Sequence, residues 1–582
     1  MHVAHNATFC ALYLSSPSAA QNNNSPDGNL MMRISLVVLL GLLSACAART
    51  SLPPMAADSL AAKRYQVEII AHDGARIGVT VWQPALAAGT TAPLVLHTHG
   101  FGLQRMDGRV GLYENLIPSG LIAKKLWQRG AWVMTWDQRG HGDSDGIINV
   151  MDPEKEVRDV TTLLDWAETN ITRLRRDTNG DIRVGMIGES YGGGVQLLAS
   201  VKDARIDAIV PITTWFDLST ALAPEDVPKG GWIKVLYLMG DWWNFRKLHP
   251  TLRENFGLAR DGIVSEELKR DYAAHGLAHY CENGEARALD VLLVQGFRDM
   301  LFDVDQALAA QACLQQAGAN VNLIAQSGGH LLPLEQHSPS TPVWYWDKWL
   351  HCNGERQRTD ELVINWLSAK LDGSEAPSLP PVCVSMRDWG VALNDWPEQY
   401  SEITLPPVTL YGERSGGWRW WVASREWLAG LRTEKALSKR FADAHDGRLR
   451  RGFAPLYTAS GDEQRVGSVR LLLQADGAQA GTPVLAAIAV RRAGSARWKL
   501  VNDQMQPVRT GEQASLPAMA VGLAKGDQLG LVLFSRHDQF NTVEMDFADG
   551  VTFTGTLQLP ESVQTLAQRA DPALRLPVVT HH

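Results

Sequence analysis

The chain has 582 residues, which at roughly 100–200 residues per domain implies two to four domains. With 45% apolar and 20% charged residues the composition is globular, which excludes wholesale disorder. Lys and Arg number 55 against 63 Asp and Glu, a net charge of −8 without a long basic run, so nucleic acid is not an expected partner.

The first apolar run is Ile34 to Leu43, preceded by Arg33 and ended by Ser44-Ala45-Cys46. About ten residues are too few to span a bilayer, which needs roughly 20. A positive start, a short apolar stretch and small residues at its end describe a secretory signal. Leu43-Ser44-Ala45-Cys46 also resembles a bacterial lipobox. On that reading Cys46 is lipidated, and the protein is anchored in the cell envelope, in the periplasm or outer membrane. The alternative is an ordinary signal cleaved nearby. Met31 and Met32 stand where such a signal begins, so residues 1–45 read as an over-early start plus a signal peptide, and 46–63 as a tether. Cys281, Cys313, Cys352 and Cys383 are then left, an even number that permits two disulfides in any of three connectivities, or four buried thiols. No Cys or His spacing suggests zinc, and no cofactor is expected.

From residue 64 to 372 short apolar strands alternate with helical stretches. The expected strands are Tyr65–Ala71, Ile77–Trp82, Pro93–His99, Ala131–Trp136, Ile182–Gly188, Ile206–Ile212, Val291–Gln295 and Val321–Ala325. Val-, Ile- and Leu-rich runs of this kind imply strands buried on both faces, in a mainly parallel sheet with helices on each side. The alternation stops between about 213 and 289, a stretch that holds Trp215, Trp232, Trp242 and Trp243 and reads as a helical lid. Residues 373–382 are rich in Gly, Ser and Pro and read as a linker. Short alternating strands follow over 383–575, beginning with Val382–Met386, as in a β-sandwich. The stretch Trp418–Ala444, with Trp418, Trp420 and Trp421, interrupts them.

The strongest chemical signal is Gly188-Glu189-Ser190-Tyr191-Gly192, after the strand Val184–Ile187 and before a helix. This is the setting of a nucleophile elbow, whose small residues allow the sharp turn that lifts a Ser hydroxyl above the sheet. A hydroxyl needs a base, and the base an orienting acid. Asp299 follows Val291–Gln295 in Gly296-Phe297-Arg298-Asp299, and His330 follows Val321–Ala325 in Ser327-Gly328-Gly329-His330. Ser190, Asp299 and His330 thus come in the order this arrangement requires. Asp303 and Asp305 compete for the acid, but they fall in a helical pattern and read as a cap or a solvated face; His337 reads as exposed. The oxyanion donors are expected to be the backbone N–H groups of Tyr191 and Phe101, with Gly102 as the fallback. The Asp137–Ser144 segment, Asp-Gln-Arg-Gly-His-Gly-Asp-Ser, reads as a structural loop.

Together these residues resemble the α/β-hydrolase superfamily, and within it the X-prolyl dipeptidyl-peptidase/cocaine-esterase-like family. That likeness rests on the Gly188-Glu189-Ser190-Tyr191-Gly192-Gly193 elbow, the Gly296 to Asp299 acid site and a β-sandwich, jelly-roll-like, after the hydrolase domain. In that family an aromatic hydroxyl can assist the oxyanion hole; Phe101 has none, so backbone donors remain. The resemblance implies a small ester, amide or short peptide as substrate. Ester hydrolysis ranks ahead of X-prolyl dipeptidyl-peptidase chemistry, because no anionic pocket for a substrate amine can be read. The rival from another class is a surface lipoprotein that binds glycans or a partner through its β domain. The lid tryptophans are candidates for contact with an apolar acyl group.

Overall fold

The computed structural model describes residues 58–330, 348–410, 452–540 and 550–564, apart from 110, 112, 114–115, 243, 245–246, 261, 353–354, 477–480, 497 and 536–537. The expected lipobox with Cys46, the tether up to residue 57, Trp243, His337 and the Trp418–Ala444 stretch lie outside the described residues.

Ten strands form one sheet. In chain order the strands are β1 (Lys63–Ile70), β2 (Arg76–Gln83), β3 (Leu94–Thr98), β4 (Trp132–Trp136), β5 (Val184–Glu189), β6 (Ile206–Ile212), β7 (Asp290–Gly296) and β8 (Asn320–Gln326). A separate hairpin, β9 (Trp349–Cys352) and β10 (Glu355–Arg358), precedes β11 (Val382–Ser385) and β12 (Gly390–Leu393). The sheet order is β1-β2-β4-β3-β5-β6-β7-β8-β11-β12, with β4 through β11 parallel and the outer strands antiparallel. Both faces are covered. Leu94 and Leu96 enter one apolar core and Val95 the other; Leu293 enters the first, Leu292 and Val294 the second. That is the period-2 alternation of a strand between two helical layers.

Strand order reverses between β3 and β5, so the loops at their carboxyl ends diverge and open a crevice there. The helix Tyr191–Lys202 follows β5 directly and begins with three glycines, Gly192, Gly193 and Gly194. A Cβ at Gly192 would meet the Thr98 carbonyl at 2.6 Å, and one at Gly194 the Trp215 ring at 2.5 Å. Glycine weakens a helix by about 1 kcal/mol relative to Ala, and close packing against β3 and Trp215 requires it here.

Between β6 and β7 lie the helices Leu218–Leu222, Gly230–Tyr237, Pro250–Arg260, Glu266–Tyr272 and Leu277–Glu282. Asp217 caps the first by accepting from the Ser219 and Thr220 amides, and Ser265 caps the fourth through the Leu268 amide. A disulfide joins Cys281 at the end of this insertion to Cys313 in the helix Val304–Gln316, and another joins Cys352 on β9 to Cys383 on β11.

One expectation is corrected at the sheet edge. The segment Val382–Met386, expected to open the β-sandwich after a linker, instead forms the strand Val382–Ser385, which pairs in parallel with β8 and extends the large sheet. Its apolar run is buried on both faces, which a central strand and a sandwich strand share, so the pattern alone did not choose. The sandwich proper begins with Tyr400–Leu410, which pairs with Val551–Pro560 in a four-stranded sheet. A five-stranded sheet built around Pro483–Arg491 and Gln528–Phe534 faces it. Leu405, Leu471, Leu473, Leu531, Leu533 and Phe553 fill the core of this part. Val466, Ala518 and Ala520, by contrast, pack into the core of the hydrolase part, so the seam has an apolar portion. No helix among the described residues is long and apolar enough to cross a membrane.

Candidate active site

Ser190 sits between β5 and its helix at φ +53°, ψ −113°. A non-glycine residue there costs on the order of 1–3 kcal/mol and persists only where its surroundings enforce it. They do. Its N–H donates to the Ile212 carbonyl at 2.8 Å, and its carbonyl accepts from Gly193 and Gly194 at 2.9 Å and from Thr214 Oγ1 at 2.9 Å.

The turns after β5, β7 and β8 bring three side chains into line. His330 Nε2 is 3.0 Å from Ser190 Oγ, and His330 Nδ1 is 2.8 Å from Asp299 Oδ2. Asp299 is fully buried, and its other oxygen accepts from the Leu301 and Phe302 amides at 2.9 and 2.8 Å. Gln295 Nε2 donates to Oδ2 at 3.1 Å. A carboxylate so held accepts a hydrogen bond from the Nδ1–H of His330, which leaves Nε2 as the acceptor facing the Ser190 hydroxyl. The rings of Phe302 and Trp232 stand edge-on to the imidazole at 5.0 and 5.7 Å.

The loop after β3 is fastened on both sides of Phe101. Gly100 N–H donates to Tyr113 Oη at 2.6 Å, and Gly102 N–H to His141 Nε2 at 3.1 Å. The Gly102 fallback is therefore withdrawn, because its amide is already engaged. The amides of Phe101 and Tyr191 have no protein acceptor among the described residues. His141 belongs to the Asp137–Ser144 loop, whose structural reading fits its contacts: Asp137 accepts from the Arg105 amide at 2.7 Å and pairs with the Arg105 guanidinium, and Arg139 holds Asp159 at 2.7 Å. Burial pushes His99 down to about 4 and His141 down to about 3, so both imidazoles are neutral at ordinary pH.

Asp303 and Asp305 are not part of the Ser190 line, and neither lies on a solvated face. Asp303 occupies the N-cap of Val304–Gln316 and faces the buried Lys229 ammonium at 4.0 Å. Asp305 accepts from Ser468 Oγ at 3.0 Å and from the Ala518 amide at 2.8 Å, across the seam to the β-sandwich; burial pushes it up to about 7. Trp215 is 3% exposed and donates its Nε1 proton to the His275 carbonyl at 2.8 Å, so it packs the lid rather than lining a cleft. Trp242 ends a π-helical turn, Leu238–Trp242. Among the described residues, Trp232 is the lid tryptophan placed beside His330.

Sequence reasoning missed the supports. Gln504, from the β-sandwich, donates its amide protons to the Phe297 and Asp299 carbonyls at 2.8 Å each, and Gln539 donates to Met300 at 2.9 Å. Arg298 pairs with Asp503 through Nε at 2.8 Å. Glu189, Tyr113 and Ser119 form a buried cluster beside the elbow. These partners lie 70 to 239 residues apart, beyond any local pattern.

Residues 73–332 match the X-Pro dipeptidyl-peptidase (S15) family. An aminopeptidase from a marine-sediment thaumarchaeon has a similar fold, with a TM-score of 0.59 at 12% identity over 89% of this chain and 99% of that one. A CocE/NonD family hydrolase from Staphylococcus aureus gives 0.56 at 11% identity over 86% and 94%. An α-amino acid ester hydrolase gives 0.55 at 13% over 88% and 99%. By sequence, an uncharacterised 31.7 kDa protein of Escherichia coli is 30% identical over 118 residues, 20% of this chain. The match spans 36% of that protein's own length. The S15 match encloses Ser190, Asp299 and His330, and the likeness in fold extends through the β-sandwich: residues 73–332 are similar to the X-Pro dipeptidyl-peptidase family, and the chain has the α/β-hydrolase fold with a following β-sandwich that those solved structures share.

Proposed function

We propose that this protein is an exported, lipid-anchored hydrolase that cleaves a carboxylic ester or amide through an acyl-enzyme. The observation that carries the chemistry is the unbroken hydrogen-bonded line from Ser190 Oγ through His330 to Asp299. Ser190 Oγ attacks the substrate carbonyl while His330 Nε2 takes its proton. Asp299 keeps the Nδ1 proton in place and stabilises the imidazolium that forms. The carbonyl oxygen, now negative, is received by the Phe101 and Tyr191 amides. His330 then protonates the leaving group. Water, activated by the same imidazole, releases the acyl group and regenerates Ser190.

Export is supported by two disulfides, which persist in oxidising compartments, and by the signal-like Ile34–Leu43 run that ends at Cys46. A fluorophosphonate probe should label wild-type protein and not Ser190→Ala; an unlabelled wild type contradicts the reading and favours the glycan- or partner-binding alternative. Ester against peptide specificity is separated by p-nitrophenyl esters run beside aminoacyl-prolyl anilides. The S15 match favours the second substrate class, and the apolar rings of Trp232 and Phe302 beside His330 favour the first. For protein made from residue 31, Cys46→Ala should abolish partition into detergent; intact-mass analysis showing no acyl chains would contradict the anchor.

A further inference from the structure

Glu189, the residue before the proposed nucleophile, has no part in the mechanism above, yet it is a buried carboxylate without an ion-pair partner among the described residues. Desolvating a carboxylate costs several kcal/mol, and here only hydrogen bonds offset it. Tyr113 Oη donates to one carboxylate oxygen and Ser119 Oγ to the other. Burial raises the carboxyl, and these two hydroxyls, together with the Glu189 and Gly100 amides, oppose that shift.

The direction of these bonds matters. A carboxylate only accepts, so both hydroxyl protons are committed to it. That turns a lone pair of Tyr113 Oη toward the Gly100 N–H, which meets it at 2.6 Å. Gly100 itself leaves room: a Cβ placed there would sit 3.5 Å from Glu189 Oε1 and 3.6 Å from Tyr113 Oη. On the Ser119 side, the hydroxyl can accept only from His97 Nε2, 3.0 Å away, and the relay ends in that buried ring.

The next peptide group carries the consequence. The Gly100 carbonyl accepts from His99 Nδ1 at 2.8 Å and from the Leu103 amide at 3.1 Å. Because the peptide is planar and trans, fixing that carbonyl fixes the Phe101 N–H in the opposite direction. Gly102, the following amide, is held by His141. With Gly100 anchored through Tyr113, the Gly100 N–H, the Gly100 carbonyl and the Gly102 N–H are all fastened, and the Phe101 N–H between them is left to donate.

We propose that Glu189 is a positioning residue for the oxyanion hole: through the Tyr113 hydroxyl it sets the Gly100 amide, and so the aim of the Phe101 N–H. This rests on the reading of Ser190 as nucleophile and of Phe101 as an oxyanion donor. The two arms of the cluster make the idea testable, since Tyr113 reaches Gly100 and Ser119 does not.

The experiment compares Glu189→Gln, Tyr113→Phe and Ser119→Ala with wild type, reading kcat and KM on the best p-nitrophenyl ester, inhibition by phenylboronic acid, and Tm. Glu189→Gln and Tyr113→Phe should lower kcat about 100-fold with KM within about threefold, the size of losing one oxyanion donor. Phenylboronic acid, which mimics the tetrahedral adduct, should bind them more weakly by a similar factor. Ser119→Ala should lose less than about fivefold in kcat at a comparable loss of Tm, because its oxygen leads away from the loop. Equal kcat losses in the Tyr113 and Ser119 variants, or a folded Tyr113→Phe protein with nearly wild-type kcat, would overturn the proposal. If Glu189→Gln does not fold, the contrast between the Tyr113 and Ser119 variants decides. A wild type that no fluorophosphonate labels overturns the serine-hydrolase reading and this proposal with it. A labelled wild type with an indifferent Tyr113→Phe overturns this proposal alone.

Discussion

At Ser190 the backbone is strained and the hydroxyl points at an imidazole, so removing the hydroxyl alone should remove turnover and leave the fold. Ser190→Ala is expected to be inactive with wild-type Tm, and His330→Ala to lose on the order of 10⁴-fold in kcat. Asp299→Asn should be similarly crippling, since the amide cannot supply the charge opposite Nδ1. Asp305→Asn separates geometry from mere proximity. Its carboxylate serves the seam, so it should lose about 1–3 kcal/mol of stability while the folded fraction keeps near-wild-type kcat. The same contrast applies to the lid tryptophans. Trp215→Ala empties a packed site under Gly194 and should cost about 3–5 kcal/mol. Trp232→Ala, beside His330, should instead raise KM or shift acyl-chain preference. An unchanged ester profile in Trp232→Ala would move the specificity determinants elsewhere.

Among the elements, the turn that carries Asp299 is the one most dependent on a distant part of the chain. Gln504 and Asp503 stand in a tight turn of the sandwich in which Asn502 and Asp503 take φ +54° and +55°. That turn supplies donors to the Phe297 and Asp299 carbonyls and a carboxylate to Arg298. The β-sandwich therefore holds the acid turn from outside the hydrolase sheet. Gln504→Ala leaves two carbonyls without their donor and should cost about 1–3 kcal/mol. It should also lower kcat at least about tenfold with KM retained, since a displacement of about 1 Å in the acid turn is enough to misplace His330. If a folded Gln504→Ala protein turns over at the wild-type rate, the acid turn is rigid without the sandwich.

For the whole molecule, buried titratable groups set the response to pH. Burial pushes His97 down to about 3, His99 to about 4 and His141 to about 3. The unfolded chain protonates these rings as pH falls through about 6.5, whereas the folded protein resists until pH 3–4, so their contribution to stability rises with pH across that window. Glu156 runs the other way. Burial pushes it up to about 7, so the folded state keeps a proton that the unfolded chain releases near 4.5, and its contribution falls between those values. Asp305 shares that sign. The three imidazoles by themselves make Tm climb from pH 4 to about 6.5, and the carboxyls that burial raises, Glu189, Asp137, Asp159, Asp207 and Asp303 as well as Glu156 and Asp305, oppose that climb. Glu156→Gln removes an opposing contribution and should make the climb steeper; a shallower climb by calorimetry would contradict this.

The sequence by itself determined the hydrolase architecture and the order Ser190, Asp299, His330. Each of those signals is local: an apolar run buried on both faces, then a turn that delivers one polar side chain. A strand end fixes where its next few residues emerge, so three such ends sufficed to nominate the line that His330 completes at 3.0 and 2.8 Å. Only the tertiary structure decided the rest, because apolar periodicity encodes burial and not partner. It paired Cys281 with Cys313 and Cys352 with Cys383 where the sequence left three connectivities open. Val382–Ser385 went to the hydrolase sheet through its register with β8. Trp215 was separated from Trp232, and Asp305 was turned from a solvated helix face into a seam contact. Tyr113 was set on Glu189, 76 residues away, and Gln504 on Asp299, 205 residues away, contacts that exist only once the strands have paired and the two parts have closed on each other.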